Sequence, residues 1–182
     1  MSQVRILGIG SPSGDDQAGW LVVDALHAAG LEAAAIDKLD RPGASLIPLL
    51  ADASRLILID AMRGGGQVGD IRRFDQADWP AYGHGLSSHG FGVLDALLLA
   101  HELDALPPRI ELYGIEIGTA CLGETATAPV RQAARQLARD IAASLALTLP
   151  PHQAGSVVKQ ASSCACARWP YLWKGCCTAS GG

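Results

Sequence analysis

The sequence lacks the features of several large classes of protein. No apolar run approaches the ~20 residues that a membrane-spanning helix needs, so we expect no membrane segment. The net charge of −4 provides no basic surface for nucleic acid or an anionic membrane. The first residues contain no basic region followed by an apolar core, which predicts a cytoplasmic protein without a signal peptide.

Cysteine is nearly absent from the first 150 residues. Cys121 is the single cysteine there, which excludes a disulfide scaffold. The other four cysteines lie at positions 164, 166, 176 and 177, with spacings that differ from those of structural zinc sites. We therefore expect residues 151–182, which are rich in Ser, Ala, Gly and Cys, to form an irregular or disordered extension.

Residues 1–150 have the pattern of one α/β domain. Hydrophobic residues make up 49% of the sequence and charged residues 18%, as in a globular protein. Strand-like and helix-like segments alternate, which predicts a three-layer, doubly wound and mostly parallel sheet with helices on both faces. The predicted strands are 4–10, 32–39, 55–60, 68–74 and 110–117, and the predicted helices are 17–29, 44–53, 90–106 and 129–147. Charges alternate through 68–74, so we expect this strand to lie at an edge of the sheet and to run antiparallel.

Two adjacent carboxylates follow the first predicted strand. Glycines and a proline form a tight loop there, and Asp15 is predicted to cap the helix that follows. Asp16 stands beside it at the carboxyl end of the strand, where ligands bind in open α/β sheets. A dinucleotide site is the alternative, but the loop lacks a third glycine at the required position and its acids would repel phosphate.

Asp60 and His89 are predicted to lie at the same edge of the sheet. Asp60 ends the most apolar strand, and His89 precedes the long predicted helix. With Asp16 they supply two carboxylates and one imidazole, a ligand set that suits a divalent metal with room for water or substrate. The alternative is structural: Asp60 as a turn cap and His89 as a surface histidine. No Gly-x-Ser-x-Gly motif is present and Cys121 follows the last strand, so we expect neither a Ser nor a Cys nucleophile.

Four motifs resemble those of the hydrogenase maturation endopeptidases. They are Gly-Ile-Gly-Ser-Pro-Ser-Gly-Asp-Asp-Gln-Ala-Gly at 8–19, Ile-Asp-Ala at 59–61, Ser-Ser-His-Gly-Phe-Gly at 87–92 and Tyr-Gly-Ile-Glu-Ile at 113–117. The resemblance covers residues 4–148. It implies an α/β peptidase that removes the C-terminal extension of a nickel–iron hydrogenase large-subunit precursor after nickel insertion.

The resemblance also implies roles for four residues. Asp16, Asp60 and His89 match the positions that contact metal in the family, and Asp40 matches an acid implicated in its function. The metal is the nickel carried by the precursor, so the isolated enzyme need not hold one. We expect Asp16, Asp40 and Asp60 to serve catalysis, either with an aspartate as general base or with the metal polarising a carbonyl or a water.

Two departures from the family pattern affect the same edge of the sheet. Ser11 stands where the family usually has Asn, and Arg41-Pro42-Gly43 replaces a Gly-Gly-Thr-like turn. The first affects loop geometry, and the second affects the orientation of Asp40 and the choice of precursor. Two other functions remain open: an assembly chaperone that holds the precursor without cutting it, and an α/β module that binds a small ligand. We expect a monomer with no nucleic-acid partner.

Overall fold

The structure, a computed structural model, is built around a five-stranded sheet. It describes residues 4–31, 35–50, 53–79, 92–118 and 120–148, which all lie in one compact unit, Met1–Thr148. The strands are β1 (Val4–Gly10), β2 (Ala35–Asp40), β3 (Arg55–Met62), β4 (Ile71–Phe74) and β5 (Ile110–Glu116). Their order is β2-β1-β3-β5-β4, and β4 at the edge is antiparallel to β5 while the other pairs are parallel. The predicted fold class is confirmed.

Four α-helices in the described part of the chain pack around the sheet. They are α1 (Ala18–Ala28), α2 (Ile47–Leu50), α3 (Val93–Glu102) and α4 (Ala128–Thr148). The helix predicted over 44–53 is wrong in its start, because Gly43–Leu46 forms a 3-10 turn and the α-helix begins only at Ile47. Pro48 therefore lies in the first helical turn, where its missing N–H breaks no helical hydrogen bond.

Both faces of the sheet are buried. Ile57 and Ile59 of β3 point into one apolar core, which α1 and α4 cover. Leu56 and Leu58 point into the other, which includes residues of α2 and α3. Successive side chains of a strand face opposite sides of the sheet, so a central parallel strand covered on both faces must be apolar throughout. This explains why β3 is the most apolar strand of the sequence.

Glycines allow α1 to lie against the end of β1. A side-chain carbon at Gly8 would collide with the carbonyl oxygen of Gly19, and one at Gly19 would collide with that of Ile9. At Gly10, a side-chain carbon would collide with the carbonyl oxygen of Asp16. This close approach of strand and helix fixes the loop that carries Asp16 at the carboxyl edge of the sheet.

Several predictions fall on residues that the structure does not describe. These are the extension 151–182 and the segment 80–91, which contains His89. The predicted boundary near residue 150 stays a prediction. Within the described ranges, no helix is long and apolar enough to cross a membrane.

Candidate active site

The carboxyl ends of four parallel strands bring acidic residues to one edge of the sheet. Asp40 is the last residue of β2 and pairs in register with Gly10 at the end of β1. Asp60 lies near the end of β3, opposite Gly114 of β5. Asp16 follows β1 after a short loop. The strand register places all three carboxylates at this edge, where the sequence analysis expected Asp16 and Asp60 together with His89.

Asp15 does not cap α1, contrary to the sequence prediction. It lies in a 3-10 turn over Asp15–Gln17 and makes no capping hydrogen bond, because the turn places its side chain toward the loop between β5 and α4. Its carboxylate is fully buried and accepts hydrogen bonds from the N–H groups of Gly118 at 3.2 Å and Thr127 at 2.6 Å. Asp15 therefore joins two loops of the carboxyl edge.

Asp16 has a different partner from Asp15 and is held by Ser11. The hydroxyl of Ser11 donates a hydrogen bond to Oδ2 of Asp16, and the Ser11 N–H donates to the Asp16 carbonyl at 3.2 Å. Both side chains are buried, with exposed fractions of 2% for Ser11 and 8% for Asp16. No other described residue donates a hydrogen bond to the Asp16 carboxylate, and its Oδ1 has no partner among these residues.

Asp60 is held in a similar manner by its own strand. The sequence predicts β3 to end at Asp60, but the strand continues to Met62, and the N–H of Ala61 donates to Oδ1 of Asp60 at 2.8 Å. Burial is the main cause that raises the pKa of Asp60 to about 7; the negative charge of Asp16 contributes to the rise, and the hydrogen bond from Ala61 opposes it. The two carboxylates therefore lie close enough to repel each other.

Asp40 lies at the exposed rim of this edge and is paired with its neighbour. Nε of Arg41 donates to Oδ1 of Asp40 at 2.7 Å. This hydrogen bond and the charge of Asp40 raise the pKa of Arg41, and the charge of Asp16 adds to the effect. Arg41 therefore lies within electrostatic reach of Asp16.

Glu116 is a buried acid to which sequence reasoning gave no role. It ends β5, and its carboxylate accepts hydrogen bonds from the N–H groups of Gly64 at 2.9 Å and Gly65 at 3.0 Å. Glu116 therefore fixes the glycine-rich loop that follows β3. The signal was present in the sequence, since Glu116 closes an apolar strand just as Asp60 was predicted to do.

Two open carboxylates do not make a complete metal site. Asp16 and Asp60 each have one oxygen occupied by a hydrogen bond and one without a partner in the described ranges. Among these residues, no group of three or more His, Cys, Asp or Glu side chains could hold a metal ion. His89, the predicted third ligand, lies outside them. The arrangement of all three ligands stays a prediction.

Known proteins match the chain in both sequence pattern and fold. The family model of the HycI hydrogenase maturation proteases matches residues 21–144. No curated protein sequence matches the chain.

Solved structures of hydrogenase maturation proteases share the fold. HycI from Thermococcus kodakarensis is 24% identical, with 80% of this chain and 93% of that one covered and a TM-score of 0.66. HybD from E. coli is 20% identical over the same shares, with a TM-score of 0.67. HybD from Thermococcus kodakarensis is 25% identical over 79% of this chain and 99% of that one, with a TM-score of 0.61.

Proposed function

Since the chain belongs to the hydrogenase maturation protease family, we propose that it removes the C-terminal extension from a nickel–iron hydrogenase large-subunit precursor. The family is one of endopeptidases, so the reaction is hydrolysis of a peptide bond. The order of events that we propose is nickel insertion into the precursor first and cleavage afterwards. The nickel is then part of the substrate that the enzyme recognises.

The pair Asp16 and Asp60 is the observation that carries this proposal. A buried carboxylate, Asp16, and a half-buried one, Asp60, lie together at the ligand-binding edge of the sheet, and neither forms an ion pair with another described residue. Such a pair is electrostatically unfavourable until a cation binds between its members. A precursor that presents a divalent metal supplies that cation, and a precursor without metal does not.

We propose Asp16 Oδ1 and Asp60 Oδ2 as contacts to the nickel of the precursor, with His89 as the third. The supporting geometry is the single hydrogen bond on each carboxylate, which leaves the second oxygen available. Carboxylate and imidazole are suitable ligands for a divalent first-row metal. Because the pKa of Asp60 is about 7, about half of the molecules are protonated there at pH 7, and binding must displace the proton from that fraction.

A carboxylate of this edge is the proposed general base. As the oxygen of a water bonds to the scissile carbonyl carbon, the water loses a proton that a nearby group must accept. Asp40 is the acid of this edge that the proposed nickel contacts leave free, so we propose it as this base. Asp60, whose pKa is about 7 without a metal, is the alternative where it does not contact the nickel. Ser11 is an unsuitable nucleophile because it is buried and its hydroxyl is bonded to Asp16.

Cleavage of the nickel-loaded precursor tests this function. We expect the wild-type chain to shorten the precursor on a gel only after nickel insertion, and D16N and H89A to leave it uncut at unchanged melting temperature. D75N is the matched control, because Asp75 is exposed and follows β4 at the opposite edge of the sheet. The D75N variant should therefore cut the precursor normally.

Three results would contradict the proposal. Binding of the precursor without cleavage would favour the assembly chaperone. Normal cleavage by D16N and H89A would remove the metal-recognition role of these residues. A nucleotide that raises the melting temperature of a chain unable to bind the precursor would favour the small-ligand module.

A further inference from the structure

Arg41 adopts a backbone conformation that arginine rarely takes. Its φ is +41°, in the left-handed region, and the residue that follows is Pro42. Residues other than glycine are disfavoured in this region, and a proline at the next position restricts the backbone further. Asp104, the other described non-glycine residue with positive φ, follows the last turn of α3 and belongs to a residue type that tolerates this conformation.

The side chain of Arg41 adds little to the stability of the fold. It is 53% exposed, and its partner Asp40 is adjacent in sequence and 51% exposed. Ion pairs of this kind stabilise proteins only weakly. Glycine at position 41 would fit the backbone better and lose almost nothing in packing, so the arginine is not explained by folding. Strained residues that do not serve the fold are frequently found at binding sites.

The guanidinium group of Arg41 has donors left for a second acidic group. Asp40 occupies Nε, and no described residue accepts a hydrogen bond from Nη1 or Nη2. The two Nη groups lie in one plane at a spacing that matches the two oxygens of a carboxylate. The rest of this edge carries the negative charges of Asp16, Asp40 and Asp60, which would repel an acidic ligand that had no cation to meet.

We propose that Arg41 binds a carboxylate of the precursor close to the cleavage point and thereby selects precursors that carry an acidic residue there. The inference rests on the proposed peptidase function. It assigns specificity to the one loop of this edge in which the chain replaces the Gly-Gly-Thr-like turn of its family.

A double-mutant cycle between enzyme and precursor tests the proposal. The nickel-loaded precursor is prepared with each acidic residue near the cleavage point replaced in turn by its amide. KM, kcat and the Kd of the precursor are then measured for the wild-type chain and for R41A. We expect R41A to raise KM and Kd about tenfold, the equivalent of ~1.4 kcal/mol, with kcat unchanged. One acid-to-amide replacement should reproduce this loss in the wild type and add nothing in R41A.

Two glycine variants separate binding from backbone strain. R41G relieves a strained left-handed arginine and should raise the melting temperature, whereas D104G replaces a residue type that tolerates this conformation and should change it little. Only R41G should raise KM, because Asp104 lies at the end of α3 and contributes no cation to the site. R41K, which keeps the charge but loses the planar pair of donors, should recover only part of the affinity.

The results distinguish failure of the inference from failure of the peptidase function. Additive effects of R41A and every amide replacement would overturn the role of Arg41, as would a loss of kcat at unchanged KM. If the precursor binds but is never cut, the peptidase function fails and the Kd values still decide the role of Arg41. If the wild type neither binds nor cuts the precursor, both are overturned.

Discussion

The amino and carboxyl edges of the sheet differ in how their buried charges are paired. At the amino edge, Arg55 and Glu111 form an ion pair of 2.8 Å in which the side chains are only 6% and 4% exposed. Arg109 and Tyr113 also donate to the Glu111 carboxylate, at 3.1 and 3.0 Å. Arg55 donates in addition to Ser144 of α4 at 3.2 Å. Each buried charge at this edge therefore has an opposite charge and further polar partners.

The carboxyl edge buries charges of one sign. Asp16 and Asp60 repel each other, and each accepts a single hydrogen bond from the described residues. The nearby cation, Arg41, is exposed and already bonded to Asp40. A folded protein gains nothing in stability from this arrangement, whereas a cationic ligand does gain a binding site. The difference shows which edge serves folding and which serves function.

The largest effect on stability is expected at the amino edge. E111A leaves the buried guanidinium of Arg55 without its carboxylate, and breaking a buried ion pair from one side costs about 3–5 kcal/mol. Urea denaturation should show this loss in the free energy of unfolding. The folded fraction should still cut the precursor, because Glu111 lies at the opposite edge from Asp16 and Asp60.

An exposed ion pair provides the control for E111A. D37A removes the partner of Arg5, at 3.6 Å, from a pair whose aspartate is 51% exposed. Its loss should stay below about 1 kcal/mol. Equal losses for the two variants would show that burial of the pair is not what makes the amino edge stable.

A smaller effect, dependent on pH, is expected for Asp60. Its pKa is about 7 in the folded chain against 3.8 ordinarily, so the folded state binds the proton more tightly than the unfolded state. The resulting stabilisation is complete below about pH 4 and is lost as the pH rises through 7. Between pH 5 and pH 8 the free energy of unfolding of the wild type should fall by about 2 kcal/mol more than that of D60N. This difference is smaller than a fully desolvated carboxyl would give, because the Asp60 side chain keeps contact with solvent.

Chemical denaturation at pH 5, 6.5 and 8 measures this difference. D75N, which changes an exposed aspartate, should follow the wild-type dependence on pH. Parallel curves for the wild type and D60N would show that the carboxyl edge holds no electrostatic strain, and the contrast between the two edges would fail.

The sequence predicts the fold well, and it predicts which strand ends carry Asp16, Asp40 and Asp60, because both depend on local patterns. The apolar run of β3 and the glycines after β1 identify a buried parallel strand and a close strand–helix turn. The ends of parallel strands then bring Asp16, Asp40 and Asp60 together by topology alone.

The sequence does not predict which of these acids has a partner. Asp15 and Asp16 are adjacent and identical in type, yet Asp15 receives its hydrogen bonds from residues more than 100 positions away. The same holds for Glu116, whose donors lie about 50 positions earlier. Partners so distant in sequence are set by tertiary packing, which no local pattern records. The left-handed conformation of Arg41 is likewise invisible in a sequence that offers glycine two residues later.

The smallest difference that we expect lies between these two adjacent aspartates. D15N removes one acceptor from the buried N–H groups of Gly118 and Thr127, and the new amide N–H₂ faces a donor, so the free energy of unfolding should fall by about 1.5 kcal/mol. D16N removes one of two repelling charges while its amide oxygen still accepts from Ser11, so stability should stay within about 0.5 kcal/mol of the wild type.

Cleavage of the precursor should show the reverse order. D16N should abolish cleavage, whereas folded D15N should retain most of it, because the side chain at position 15 faces the loop before α4. Urea denaturation and a precursor cleavage gel on both variants measure the two orders. If D15N and D16N lost stability and activity in the same proportion, the acids of the carboxyl edge would form one structural cluster, and the division between supporting and ligand-binding carboxylates would be wrong.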